Sequence, residues 1–189
     1  IDDIFQGSVA ALFVRDELLI ERVAIVVNPD NPYSTRLSTE FRQRFEATGG
    51  LITEIVNISD EVDDLSAIME NLRLKHTQLL YMPIKAECLF NILKANREIK
   101  WHPKVMSGDG LLASAMKMFH DDLNLLNGLM ATEFFGDKIA DTAYERGLRK
   151  SYASLFSHPP TTYSALGAEA YDLLCDTLNP VSYTHLRAH

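Results

Sequence analysis

The chain has 189 residues, a formal net charge of −8 and a hydrophobic share of 47%. That share suffices for one substantial core and excludes an intrinsically disordered chain. The charge is spread along the sequence without a Lys/Arg cluster, which argues against a nucleic acid or an anionic membrane surface as partner and reads most simply as solubility.

Residues 2–19 read as an amphipathic helix whose apolar stripe is Ile4, Phe5, Val9, Leu12 and Phe13. Residues 23–27, VAIVV, have no polar alternation and suit a parallel strand covered on both faces. Asn28-Pro29-Asp30-Asn31-Pro32 breaks that strand, because proline cannot donate to a ladder and Asn and Asp tolerate turn geometry. From Ser34 a helical pattern takes over, with Leu37, Phe41, Phe45 and Thr48 near one face and Gly49-Gly50 as its stop. Residues 51–58 form the second strand. Residues 63–74 form the next helix, with Leu65, Ile68, Met69 and Leu72 at helical spacing and residues 60–64 as its cap and acidic first turn.

The third strand is 78–82, backed by a helix at 87–98, and the short fourth strand, 104–106, runs into Ser107-Gly108-Asp109-Gly110. The fifth strand is 128–134. Helices at 141–156 and 164–178 follow, separated by Ser157-His158-Pro159-Pro160. Strands alternating with helices predict an α/β fold with a doubly wound, five-stranded parallel sheet, and right-handed crossovers leave few ways to wind it. The expected strand order is the flavodoxin-like 2-1-3-4-5.

Residues 181–189, VSYTHLRAH, break with this pattern after Asn179-Pro180. They resemble a translated sequencing-library adaptor and are set aside as a non-native tail, which removes His185 and His189 as candidate ligands. Ile1-Asp2-Asp3 is neither a signal peptide nor a methionine start, so the chain is expected to begin inside an open reading frame. No apolar run reaches the length of a membrane span, and no direct insertion is expected.

All five strands open on one edge, and ligands of open α/β sheets sit at the carboxyl ends of the strands. The first strand end offers Asn31, Tyr33 and Ser34, the third Tyr81, Pro83 and Lys85, the fourth Ser107 and Asp109, and the fifth Thr132, Glu133, Phe134 and Phe135. Tyrosine supplies a flat wall with a hydroxyl, and Asp109 reads either as a helix cap or as the partner of a ligand ammonium. No GxGxxG, GxxxxGK[ST] or GxSxG occurs at a strand end. His76, His102, His120 and His158 are scattered surface or loop residues, and Asp121-Asp122 lacks a third carboxylate. Trp101 is expected to pack on the sheet edge. Cys88 and Cys175 are far apart without ligand spacing and read as buried free thiols, with a disulfide left open. No metal or other cofactor is expected.

In this order the motifs resemble the type I periplasmic binding proteins, especially the branched-chain amino-acid-binding group of ABC transporters and related extracellular receptors. The resemblance spans residues 3–178. Its carriers are Gln6-Gly7 in the entry helix, RVAIVVNPDNPYS, FEATGG, DDLSAIMENL, LLYMP, LFNILKANREI, VMSGDG and YSALGAEAYDLL. The resemblance implies a two-lobed clamshell that traps a small polar ligand, with this chain carrying mainly the second lobe. Residues 1–140 would be that lobe, and 141–180 would return to a first lobe absent from the chain.

It further implies that Tyr33 is the aromatic after the first strand and Asp109 the acid that meets a ligand ammonium. Lys85 stands where amino-acid binders often carry an aromatic group, a departure that favours a carboxylate-bearing or otherwise acidic ligand. Residues Leu155, Phe156, Leu166, Tyr171 and Leu174 would lack their partner, so the last two helices are expected to pack loosely. The implied protein is a periplasmic or extracellular solute-binding domain with no chemistry of its own, working with a transporter permease or a receptor's signalling domain. Two alternatives stand beside it: the effector-binding core of a transcription repressor, which shares the fold and is favoured by an upstream helix-turn-helix, and an enzyme on a flavodoxin-like or glycosyltransferase-like sheet, which needs acidic metal ligands or phosphate-cradling glycines at strand ends.

Overall fold

The apolar block after Arg22 lies inside a five-stranded parallel sheet. The computed structural model describes residues 3–58, 64–133 and 142–186. Its strands are β1 (Arg22–Val27), β2 (Leu51–Asn57), β3 (Leu79–Tyr81), β4 (Lys104–Ser107) and β5 (Leu129–Ala131). They lie in the expected order, β2-β1-β3-β4-β5, every pair parallel. Ile25 of β1 stands opposite both Ile55 and Tyr81, and Tyr81 stands opposite Met106.

Because side chains alternate across a strand, β1 and its neighbours feed two cores. Ala24, Val26, Leu80 and Val105 face one side, covered by α3 (Leu65–Leu74), α4 (Ala86–Glu98) and α5 (Leu111–Met118) through residues such as Met69, Leu72, Leu89 and Ala115. Val23, Ile25, Leu79, Tyr81 and Met106 face the other, covered by α1 (Asp3–Leu12) and α2 (Pro32–Ala47). This two-sided cover is why β1 carries no polar alternation.

Local chemistry sets the helix ends. Asn31 caps α2 through its Oδ1, which accepts from Tyr33 N at 3.0 Å, and Pro32 takes the first helical position, where a missing N–H costs nothing. The helix therefore starts two residues before Ser34, and Tyr33 and Ser34 belong to its first turn. Asp64 Oδ1 accepts from Ala67 N at 2.9 Å and caps α3 as expected; the rest of that acidic turn, 60–63, lies outside the described residues. Helix α5 occupies a stretch to which the sequence pattern assigned no element. It carries the crossover from β4 to β5. The fifth strand is shorter than the expected 128–134, and Phe134 and Phe135 lie outside the described residues.

The first helix turns a different face inward from the one its pattern suggested. Gln6, Gly7, Ala10 and Ala11 are buried, whereas Phe5 is 60% exposed and Ile4, Val9 and Phe13 are exposed too. The reason is the closeness of α2. A Cβ on Gly7 would lie 2.9 Å from both Glu40 Cβ and Leu37 O, so only a thin seam of small residues admits this approach. Large side chains are displaced outward. The α-helical form also ends early, with a π-helical turn at Phe13–Glu17 ahead of β1.

The chain divides into two compact units, 1–132 and 133–189. In the second, α6 (Ala143–Phe156) starts with a reciprocal cap between Thr142 and Glu145. Helix α7 (Thr162–Leu186) continues past the expected end at 178. Tyr144 Oη donates to Asp172 Oδ2 at 2.7 Å and Ser164 Oγ donates to Tyr152 Oη at 3.0 Å, tying the two helices together. Among the described side chains of this unit only Ala165 is buried. Leu155 is 77% exposed, Phe156, Tyr171 and Leu174 are exposed, and Leu166 is half-buried. The expected lack of dense packing is what these side chains show. Asp141 lies outside the described residues, as do 187–189.

Candidate functional site

At the carboxyl edge of the sheet the first and fourth strand ends meet through Tyr33 and Asp109. The turn after β1 is set by its own polar groups: Asp30 N donates to Asn28 Oδ1, and Asn28 N donates to Ser34 Oγ, both at 3.0 Å. With Asn31 holding Tyr33 N, the first turn of α2 is fixed and the Tyr33 ring reaches over the fourth strand end. Its hydroxyl donates to Asp109 Oδ1 at 2.5 Å. A Cβ on Gly108 would lie 2.2 Å from that hydroxyl, so only glycine lets the ring settle there. Ser107 Oγ donates to Met82 O at 2.5 Å and anchors this turn to the chain leaving β3.

Asp109 is not a helix cap. The residue preceding α5 is Gly110, at φ 71°, with no side-chain capping bond, while Asp109 Oδ1 takes the Tyr33 hydroxyl and also Gln6 Nε2 at 2.8 Å. Of the two readings left open by sequence, the capping role is the one this geometry removes. Burial is the main reason the Tyr33 phenol holds its proton well above the ordinary range, followed by the bond to Asp109 and that residue's charge.

The other candidates separate. Tyr81 is fully buried, its ring stacked on Phe41 with centroids 3.9 Å apart, and its hydroxyl has no partner among the described residues. It is a core residue, a correction that follows from strand alternation: position 81 points into the α1–α2 face instead of along the edge. Burial, then the Asp109 charge, raises its phenol as well. Ser34 is also fully buried, and its hydroxyl is spent on Asn28 N. A ligand cannot reach either without rearrangement. Asn31 is half-buried and engaged as a cap. Lys85 is exposed just before α4 and makes no capping bond. Thr132 N donates to Ser107 O at 3.2 Å, which brings the fifth strand end beside the fourth, and Thr132 Oγ1 is buried without a partner among the described residues.

Gln6 belongs to this site and was not among the residues expected there. It is 3% exposed, lies 103 residues from Asp109 in sequence, and sits on the small-residue face of α1 with Gly7, Ala10 and Ala11. A glutamine on a seam too thin for large side chains was its sequence signal.

A cavity of about 280 Å³ lies at the opposite, amino ends of β4 and β5, lined by Asn96, Trp101, Pro103 and Leu129 among others. Trp101 is half-buried and packs against the core as expected. Asp122 accepts from Arg97 at 2.6 Å and Asp121 faces His120 at 3.2 Å, so the acidic pair is split. Cys88 and Cys175 are half-buried and form no disulfide among the described residues. Among the described residues no three His, Cys, Asp or Glu side chains gather into a metal site, and no helix is long and apolar enough to cross a membrane.

A sheet of this order, flanked by helices and with polar residues at its carboxyl edge, is one lobe of the type I periplasmic-binding fold. The chain is similar to a leucine-binding protein from Thermotoga maritima, at 24% identity and a TM-score of 0.81, over 94% of this chain and 50% of that one. It is also similar to a branched-chain amino-acid transporter substrate-binding protein from Streptococcus pneumoniae solved with isoleucine, at 16% identity and a TM-score of 0.77, over 93% and 49%. A solute-binding protein from R. palustris solved with benzoate matches at 14% identity and a TM-score of 0.70, over 91% and 46%. The chain thus spans about half the length of these solved structures. No protein-family model matches the chain, and no curated protein matches it.

Proposed function

We propose that this chain forms one wall of a solute-binding clamshell that captures a small polar ligand, an amino acid, amide or carboxylate, for ABC-type uptake. The observation that carries the reading is the convergence of Tyr33 and Asp109 from two strand ends onto one edge, with Asp109 half-buried and one of its oxygens without a hydrogen bond among the described residues. A half-desolvated carboxylate attracts a ligand ammonium more strongly than a solvated one. The exposed Lys85 lies on the same edge and suits a ligand carboxylate. The solved structures of the same fold are named for leucine, isoleucine and benzoate, which supports a ligand of that size and no chemistry by the protein itself.

In this reading the ligand contacts a second lobe only on closure, so binding shifts an open–closed equilibrium. The exposed apolar side chains of α6 and α7 would pack against that lobe. A periplasmic or extracellular location and a membrane permease as partner follow from the same reading.

The test is to recover the reading frame upstream of Ile1 and to follow the thermal stability of the complete protein with a panel of small amino acids, amides and carboxylates. A native-state ligand raises the melting temperature by mass action. Asp109→Ala should weaken an ammonium-bearing ligand by more than ~1.5 kcal/mol. No stabilisation by any such solute, together with metal-dependent turnover of a nucleotide sugar, would overturn the proposal.

A further inference from the structure

Two donors converge on one oxygen of Asp109. Gln6 Nε2 lies 2.8 Å from Oδ1 and Tyr33 Oη lies 2.5 Å from the same atom, whereas no hydrogen bond among the described residues uses Oδ2. An oxygen that already accepts two hydrogen bonds has used the lone pairs it would offer a ligand. A guanidinium or amidinium gains its advantage over an ammonium from two parallel bonds to two free oxygens, while an ammonium is a compact charge that is served by one.

Resting on the reading of Asp109 as the ligand's cation partner, we infer that Gln6 and Tyr33 make Asp109 a one-oxygen acceptor, with Gln6 a positioning residue that selects a primary ammonium over a guanidinium or amidinium.

The surroundings of Gln6 suit a fixed role. Burying an amide is costly unless it is hydrogen-bonded, and Gln6 meets that demand through Asp109. Its backbone is held where Gly7 lets α1 lie against α2, which fixes the position from which the amide reaches Asp109. Tyr33 is held from the other side by the Asn31 cap and by the space that Gly108 leaves. Both donors therefore come from the first turns of helices, and Oδ2 is the oxygen left for a ligand. Specificity arises because a forked cation would leave one of its N–H groups without an acceptor in a partly desolvated site, and that loss is larger than the gain from the bond it makes.

The experiment uses the complete protein of the preceding proposal and ligand-observed NMR titrations of alanine and leucine against their N-amidino counterparts, which keep the skeleton and replace the ammonium by a guanidinium. The unsubstituted protein should bind the amino acids at least about tenfold more tightly than the amidino compounds. In Gln6→Met, which keeps the side-chain length and removes the donor, and in Tyr33→Phe, that ratio should shrink by about threefold or more as Oδ1 becomes available. Amino-acid binding that disappears in Asp109→Asn while the ratio stays unchanged in both donor variants would overturn the positioning role and leave the binding reading standing. Binding of neither series would overturn both.

Discussion

Helices α2 and α6 are alike in sequence and opposite in surroundings. Both are amphipathic, of 16 and 14 residues, and both carry aromatic side chains on their apolar face. In α2, Phe41 and Phe45 are fully buried, with Phe41 stacked between Phe45 and Tyr81. In α6 no residue is buried, and Phe156 is 56% exposed beside Tyr152. Amphipathicity states that a helix has a face to cover, and the difference between these two shows that it does not name the cover. For α2 the sheet supplies it.

That contrast can be broken most directly by removing the two aromatic rings in turn. Phe41→Ala should cost ~3–5 kcal/mol of unfolding free energy, read from urea midpoints, because it empties a close-packed site. A cost near that of a surface substitution would mean the α2 seam is not the core of the unit.

Gly108→Ala should have the next largest effect, ~1–3 kcal/mol, because the new methyl must displace the Tyr33 hydroxyl and with it the bond to Asp109. Chemical shifts of Tyr33 and Gln6 should move together. A variant of undiminished stability with both residues unmoved would place the Tyr33 ring elsewhere.

A smaller effect separates the α2 side by pH. The Tyr33 and Tyr81 phenols hold their protons more tightly in the folded chain than in the unfolded one. Their contribution is therefore whole below the ordinary phenol pKa of about 10 and is lost as pH rises through and beyond it. Urea midpoints should fall in alkali, and Tyr33→Phe should flatten that fall. An equal slope in the variant would remove Tyr33 from the linkage.

The smallest change is expected from Phe156→Ala, within ~0.5 kcal/mol for the chain as it stands. A loss comparable to that of Phe41→Ala would show that α6 is covered after all and would erase the contrast.

The same logic explains how much was legible beforehand. Strand β1 could be read because two-sided burial forbids polar residues, and the order of strands followed because right-handed crossovers leave few alternatives. Asn31 and Asp64, and the positions of Tyr33 and Asp109 just past two strand ends, could be read because turn and cap chemistry is local. Tyr81 could not be separated from Tyr33 in this way, since a one-residue difference in where a strand ends decides whether a side chain meets the core or the edge. The inward face of α1 differs from its apolar pattern for a related reason: large side chains mark a face for burial only where there is room, and the close approach of α2 at Gly7 leaves none.

What the sequence determined by itself is the alternation of strands and helices, the winding of the sheet and the edge where polar residues gather, because each rests on short-range sterics and on which residues tolerate water. What only the tertiary structure decided is that Gln6, 103 positions from Asp109, shares one carboxylate oxygen with Tyr33. Contacts between residues so far apart depend on how closely α1 and α2 approach at Gly7 and on the room Gly108 leaves for the Tyr33 ring, both legible only once their neighbours are in place.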